Sequence, residues 1–304
     1  MPNKLIAFLR LSRPHFLGGG LILYALGALV ARYENYPINW NTYLIGQLYV
    51  SSLQLMTHYL NEYWDVEADR LNQNRTPFSG GSGILATGGI SRETTFLAAI
   101  VCLAVATGAA IWLGLEYQVP PSAWAVMVLM FLGAFFYSSP PLSLAGTGYG
   151  ELSASIVVAG LVPALGHLLQ AGRPSVTLLL AVAPLLVLHF AMLMAFEFPD
   201  FLSDEAAGKH TLLVRLGRRV GAQVHNAALV LAIMLAALAT RMGLPPQVAL
   251  GAVIAAPLVL VQINQIRRMQ RGDPVSFNRL TFLALVIFAL TAYFTAFSFW
   301  VLGA

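Results

Sequence analysis

Asn61, Asp65 and Asp69 stand at i, i+4 and i+8 in NEYWDVEADRLNQNR, directly after the apolar run TYLIGQLYVSSLQLMTHYL. On a helix this spacing lines one face with oxygen donors about 5–6 Å apart, while Glu62 and Glu67 point elsewhere. A second apolar run ends in MAFEFPDFLSDEAAGKHTLLVRLG, where Asp200 and Asp204 repeat the i, i+4 spacing. Like charges so spaced destabilise a helix, and ionisable groups beside hydrocarbon are costly. The alternative, two solvated helix ends with incidental charges, does not account for both pairs at the same spacing. A cation between the pairs does.

Hard oxygen donors favour Mg2+ or Mn2+ over zinc or copper, and Mg2+ held by few carboxylates completes its octahedron with water and substrate phosphates. A diphosphate-bearing substrate is therefore expected. Arg75, six residues past Asp69, and Lys209, five past Asp204, are placed to reach phosphate oxygens. Topological charge is the alternative reading for both. The Gly-rich segment at 79–89 lacks the G-K-[ST] ending of a P-loop, and the expectation for it is a mobile cap over the site.

The elements that carry these residues are membrane helices. Of 304 residues 58% are hydrophobic and 10% charged, against about 25% charged in a soluble domain. The composition describes an all-α, polytopic membrane protein. Runs long enough to cross about 30 Å of hydrocarbon fall near 15–32, 41–60, 95–115, 121–138, 150–170, 175–198, 220–240, 247–266 and 279–302. These predict nine transmembrane helices around a central cavity, in a single domain over 1–304. No cleavable signal peptide is evident at the N-terminus.

With the N-terminus inside, 14 of the 17 lysines and arginines fall in inner segments, and Arg32, Arg173 and Arg241 fall outside. That asymmetry supports a cytoplasmic N-terminus and an outer C-terminus. Two inner segments are long, at 61–94 and 199–219, so the active site is expected on the cytoplasmic face of a bacterial or archaeal cell membrane. The net charge of +4 is explained by this topology, so no nucleic acid is expected, and no obligate protein partner is evident. The single cysteine, Cys102, lies in an apolar run, which excludes a disulfide framework and a cysteine metal cluster.

At the two acidic motifs the chain resembles the UbiA superfamily of intramembrane prenyltransferases, whose members carry N-x-x-x-D-x-x-x-D after helix 2 and D-x-x-x-D after helix 6. The likeness extends to SRPHF, TPFSGGSGILATGG and GKHTLLVRLG. Within the superfamily, YSSPPLSLAGTGYGELSASIVVAGLVPALGHLLQAG is similar to the Y-x-x-P-P-x-x-x-x-x-x-G-x-G-E segment of the 1,4-dihydroxy-2-naphthoate prenyltransferases. One departure is that Phe196 and Glu197 stand where many of those enzymes have asparagine. Glu197 is expected to replace that amide as a metal or water ligand, or to signal another acceptor.

The resemblance implies transfer of a prenyl group from a polyprenyl diphosphate to an aromatic acceptor, in menaquinone or phylloquinone biosynthesis. Two Mg2+ ions would be held by Asp65, Asp69, Asp200 and Asp204, with Asn61 orienting the first cluster. Tyr137, Ser138 and Ser139, after helix 4, are candidates for contact with the acceptor or the allylic cation, or else interfacial anchors. Glu151, at the start of helix 5, is a candidate base or hydrogen-bond partner for the acceptor hydroxyl, with a dipole-favoured N-terminal acid as the alternative. His58, His167 and His189, within apolar spans, read as satisfied core histidines. His15, His210 and His225 receive no role.

Other acceptors share the same motifs, among them 4-hydroxybenzoate, homogentisate and a glycerol phosphate ether. A secondary transporter is the alternative from another class, but its site should lie near the midplane rather than at helix ends.

Overall fold

In a computed structural model the described residues, 4–304, form helices and loops with no strand. A short helix α1 (Lys4–Leu11) precedes α2 (Pro14–Tyr33), α3 (Trp40–Trp64) and a single-turn extension, α4 (Val66–Leu71). After the Gly-rich loop come α5 (Arg92–Glu116) and α6 (Pro121–Phe136). The next rod is composite: α7 (Gly150–Ser155), a π-helical segment (Ile156–Leu161) and α8 (Val162–Ala171). α9 (Val176–Ala206), α10 (Leu212–Arg241), α11 (Leu250–Gln270) and α12 (Phe277–Leu302) complete the fold.

Among the described residues nine helical rods lie over the nine expected runs, but the count of nine membrane spans is not reached. Seven are long and apolar enough to cross a membrane. The exceptions are α6, apolar but 16 residues long, and α3, whose 25 residues include Gln47, Gln54, His58, Asn61 and Glu62. Both line the cavity described below, into which α3 brings Gln54, His58 and Asn61, while Gln47 bonds Ser51 and Glu62 pairs with Arg13. The outward faces are apolar: α5 is among the most apolar rods yet few of its residues are buried, and Leu97 and Leu115 are among its exposed side chains.

The rods pack as a ring. α2 packs on α8 and α12, α3 on α5, α6 and α8, and α9 on α10 and α12. α2 and α8 approach to backbone contact, since a Cβ on Gly27 would overlap the Pro163 carbonyl and one on Gly166 the Tyr24 carbonyl. Small residues at such crossings let helices gain dispersion contact that lipid cannot replace.

Two boundaries differ from the sequence expectation. The inner segment at 199–219 is mostly helical: α9 runs on to Ala206 through Pro199, and α10 opens with a short helical stretch from Leu212 that kinks at Gly217 (φ 72°) before its long, membrane-length part. α3 likewise continues to Trp64 rather than ending near 60. Hydropathy marks where a helix leaves the hydrocarbon, whereas hydrogen bonding decides where it ends. Both acidic motifs therefore lie on helical continuations of the membrane rods.

Candidate active site

The carboxyl end of α3 places the first motif. Asp65 caps α3, its amide donating to the Asn61 carbonyl at 2.9 Å, and the Asp69 amide donates to the Asp65 carbonyl at 2.9 Å. The helical path is therefore kept across the α3–α4 junction, and Asn61, Asp65 and Asp69 all line one cavity of about 490 Å³. Asp200 and Asp204, on the last turns of α9, line the same cavity.

Protein donors now hold the carboxylates. Asn61 Nδ2 donates to Asp65 Oδ2 at 2.6 Å and to Ser138 Oγ at 3.2 Å. The Lys209 ammonium lies 2.7 Å from Asp65 Oδ2 and 3.8 Å from Asp204 Oδ1, bridging the motifs. Asn72 Nδ2 donates to Asp200 Oδ1 at 2.7 Å, and the Gly80 amide to Asp200 Oδ2 at 2.9 Å. Burial would lower the Lys209 pKa, but Asp65 and Asp204 outweigh it and the net shift is upward. Burial pushes the Asp69 carboxyl up to about 7, reinforced by the neighbouring charges of Glu62 and Asp65.

The Gly-rich loop forms a wall of the site. Ser79, Gly80 and Gly81 line the cavity, and Gly81 (φ +68°) packs so close to Asp69 that a Cβ there would overlap the carboxylate. Arg75 does not line the cavity: its Nε donates to the Gly80 carbonyl at 2.5 Å and its guanidinium to the Asp69 carbonyl at 2.6 Å, fastening this loop. Glu62, buried at 1% exposure, pins the loop by accepting from the Ser82 amide and hydroxyl, at 2.5 and 2.7 Å, and pairs with Arg13 at 2.9 Å.

Glu197 and Glu151 both line the cavity, yet both also serve the start of α10. Glu197 Oε2 accepts from the Leu213 amide at 3.0 Å and Glu151 Oε1 from the Leu212 amide at 3.1 Å, satisfying donors that a helix start leaves free. Glu151 Oε2 is buried without a partner among the described residues. Tyr137 lines the cavity within the field of Glu151, Asp65 and Asp204. Ser138 serves Asn61, and the Ser139 hydroxyl is buried away from the cavity without a partner among the described residues.

Sequence reasoning missed Arg13, Glu62 and Asn72, which order the site, and His15, His58 and His189, which line it. Asn72 lay in view within NQNR, but nothing local signals that its partner is Asp200.

No three acidic or histidine side chains converge into a metal cluster among the described residues, and Lys209, Asn61, Asn72 and Gly80 occupy oxygens of Asp65, Asp200 and Asp204. The donor set nonetheless fits a hard divalent cation. Four aspartates line one end of the cavity, and burial with the neighbouring charges of Glu62 and Asp65 makes Asp69 costly to ionise without added positive charge. From that end the cavity runs past Leu53 to Val50, fifteen residues before Asp65 on α3, or roughly 22 Å at 1.5 Å per residue. Met130, Val162, Met192 and Phe288 line its apolar part.

A charged head and a greasy tail would fill such a space. The UbiA prenyltransferase family matches the chain over residues 20–286. The chain belongs to that family. It is an integral membrane enzyme of the prenyltransferase class. The 1,4-dihydroxy-2-naphthoate octaprenyltransferase of Mycobacterium leprae is 28% identical over 290 residues, covering 92% of each chain. The homogentisate phytyltransferase of Synechocystis sp. is 28% identical over 232 residues, covering 70% of this chain and 69% of its own. In fold, the UbiA homolog from Archaeoglobus fulgidus bound to GPP and Mg2+ superposes with a TM-score of 0.69 at 18% identity, covering 97% of this chain and 99% of that one.

Proposed function

We propose that this prenyltransferase moves a prenyl group from a polyprenyl diphosphate to 1,4-dihydroxy-2-naphthoate. The observation that carries the reading is the cavity itself, with two acidic motifs at one end and mostly apolar side chains along the rest. The naphthoate relative in Mycobacterium leprae spans nearly the whole chain, which favours this acceptor. Homogentisate is the second reading, favoured by the equal identity of the Synechocystis relative over a shorter stretch.

Asp65, Asp69, Asp200 and Asp204 would hold Mg2+, in two ions if each motif binds one. Bound Mg2+ supplies positive charge to the diphosphate as its carbon–oxygen bond breaks. Lys209 is placed to turn from Asp65 to a diphosphate oxygen, adding a charge-assisted hydrogen bond where charge develops. Asn61 orients Asp65, and Asn72 and Gly80 orient Asp200. The apolar wall excludes water from the allylic cation, and the Tyr137 ring presents a π face to positive charge. Glu151 Oε2, unpaired among the described residues on a residue that lines the cavity, is the carboxylate oxygen assigned to an acceptor hydroxyl. The nine rods cross the bilayer as a single domain, with the N-terminus and site on the cytoplasmic side and the C-terminus outside.

The test is an assay on detergent-purified protein with labelled polyprenyl diphosphate, Mg2+ and each acceptor separately. Prenylated naphthoquinol that disappears with EDTA is the expected result. Product with homogentisate alone overturns the acceptor, and Mg2+-independent product overturns the metal.

A further inference from the structure

His189 is a polar group that neither a diphosphate nor an apolar chain requires. It lies on α9 eleven residues before Asp200, roughly 16 Å deeper at 1.5 Å per residue. It lines the cavity among Val158, Val162 and Met192, and its hydrogen bonds fix its tautomer. Ser155 Oγ donates its single proton to the Glu151 carbonyl at 2.6 Å. His189 Nδ1, 3.0 Å from the same hydroxyl, must therefore be the donor to it. In a neutral imidazole this leaves Nε2 with a lone pair.

The surroundings hold that lone pair in place. The Phe288 ring stands edge-on to the imidazole, with centroids 5.1 Å apart. Ser155 immediately precedes the π segment Ile156–Leu161, and such segments recur where a helix is shaped for function. Nε2 has no protein partner among the described residues and is not one of the sealed, unpaired side-chain atoms, so on a residue that lines the cavity it is free to accept from a ligand.

We propose that His189 Nε2 accepts a hydrogen bond from a ring hydroxyl of the aromatic acceptor and so fixes the ring's orientation to the prenyl donor. This rests on the aromatic-acceptor reading above and adds a specificity residue to it. A prenyl chain has no proton to offer this nitrogen, whereas a hydroxyaromatic acceptor has.

The test crosses protein variants with acceptor analogues in the purified full-length enzyme. KM is measured for 1,4-dihydroxy-2-naphthoate, 1-hydroxy-2-naphthoate and 4-hydroxy-2-naphthoate in wild type, His189→Phe and His189→Gln. Losing the contacted hydroxyl should raise the wild-type KM about tenfold, the upper range for one neutral hydrogen bond. His189→Phe should raise the diol's KM about equally, cease to distinguish that analogue, and leave the KM for prenyl diphosphate unchanged. His189→Gln, whose amide oxygen can accept in place of Nε2, should restore the distinction. Additive effects for both analogues, or a rise confined to prenyl diphosphate, overturn the proposal. If wild type prenylates homogentisate instead, the naphthoate reading fails, and the same cycle on homogentisate and its monohydroxy analogues decides the His189 contact.

Discussion

Lys209 and Asp65 meet across the site at 2.7 Å, joining the loop after α9 to the end of α3. The ammonium stands where a cation is needed and draws on both acidic motifs. It is thus both a stand-in for positive charge and a competitor of any metal for Asp65.

Replacing it separates these roles. Lys209→Ala should weaken prenyl diphosphate binding roughly 10–100-fold, the range for a hydrogen bond to a charged group. Mg2+ binding measured without substrate should tighten, because the carboxylates lose their internal counter-ion. Calorimetric titration reads both, and weaker binding of Mg2+ alone would show that Lys209 organises the metal site instead.

The close approach of Gly81 to Asp69 is tested by a pair of alanines. Gly81→Ala places a Cβ on the carboxylate, whereas Gly88→Ala, at a similar φ of +72°, meets nothing. Each pays about 1–2 kcal/mol for a left-handed backbone, so the difference between them reports the overlap. Gly81→Ala should lower kcat at least about tenfold below Gly88→Ala. Equal activities would mean that the loop shifts away without consequence.

The proposed place of Asp69 among the Mg2+ ligands predicts that metal binding depends on pH. Its carboxyl is raised from 3.8 to about 7 in the folded protein, so between those values the folded state holds more protons than the unfolded one. Stability of the metal-free protein should therefore fall as pH rises through that window. A divalent cation must displace the same proton, so Mg2+ affinity should rise toward about pH 7 and level off above about pH 8. Titrations across that range should show this slope in wild type and a flatter one in Asp69→Asn. A steep slope in both would assign the proton to another group.

The residues that set these tests were not equally visible in the sequence. Helical periodicity alone brought Asn61, Asp65 and Asp69 to one face, and the matching spacing of Asp200 and Asp204 placed them at an equivalent helix end. Lys209 followed because it is five residues from Asp204. What was hidden depended on contacts between distant segments. Asn72 reaches Asp200, Glu62 reaches Arg13 and Ser82, and Arg75 turns under the Gly-rich loop to backbone carbonyls. No local pattern encodes such pairings. His189 read as a core histidine because its tautomer depends on Ser155, on another helix.

Glu197 poses the sharpest contrast between ligand and scaffold. Its place one turn before Asp200 suggests a metal or water ligand, yet its Oε2 accepts from the Leu213 amide at 3.0 Å. A buried amide left without an acceptor costs about 1–3 kcal/mol, and the start of α10 carries the loop that holds Lys209. Glu197→Gln keeps an acceptor oxygen but loses the charge; Glu197→Ala loses both. If Glu197 is a scaffold residue, Glu197→Gln should keep its Mg2+ affinity and most of its activity, and Glu197→Ala should lower the melting temperature. If it is a ligand, Glu197→Gln should lose Mg2+ affinity about as strongly as Asp200→Asn at an unchanged melting temperature. Measuring Mg2+ affinity and melting temperature on the same three variants separates the outcomes.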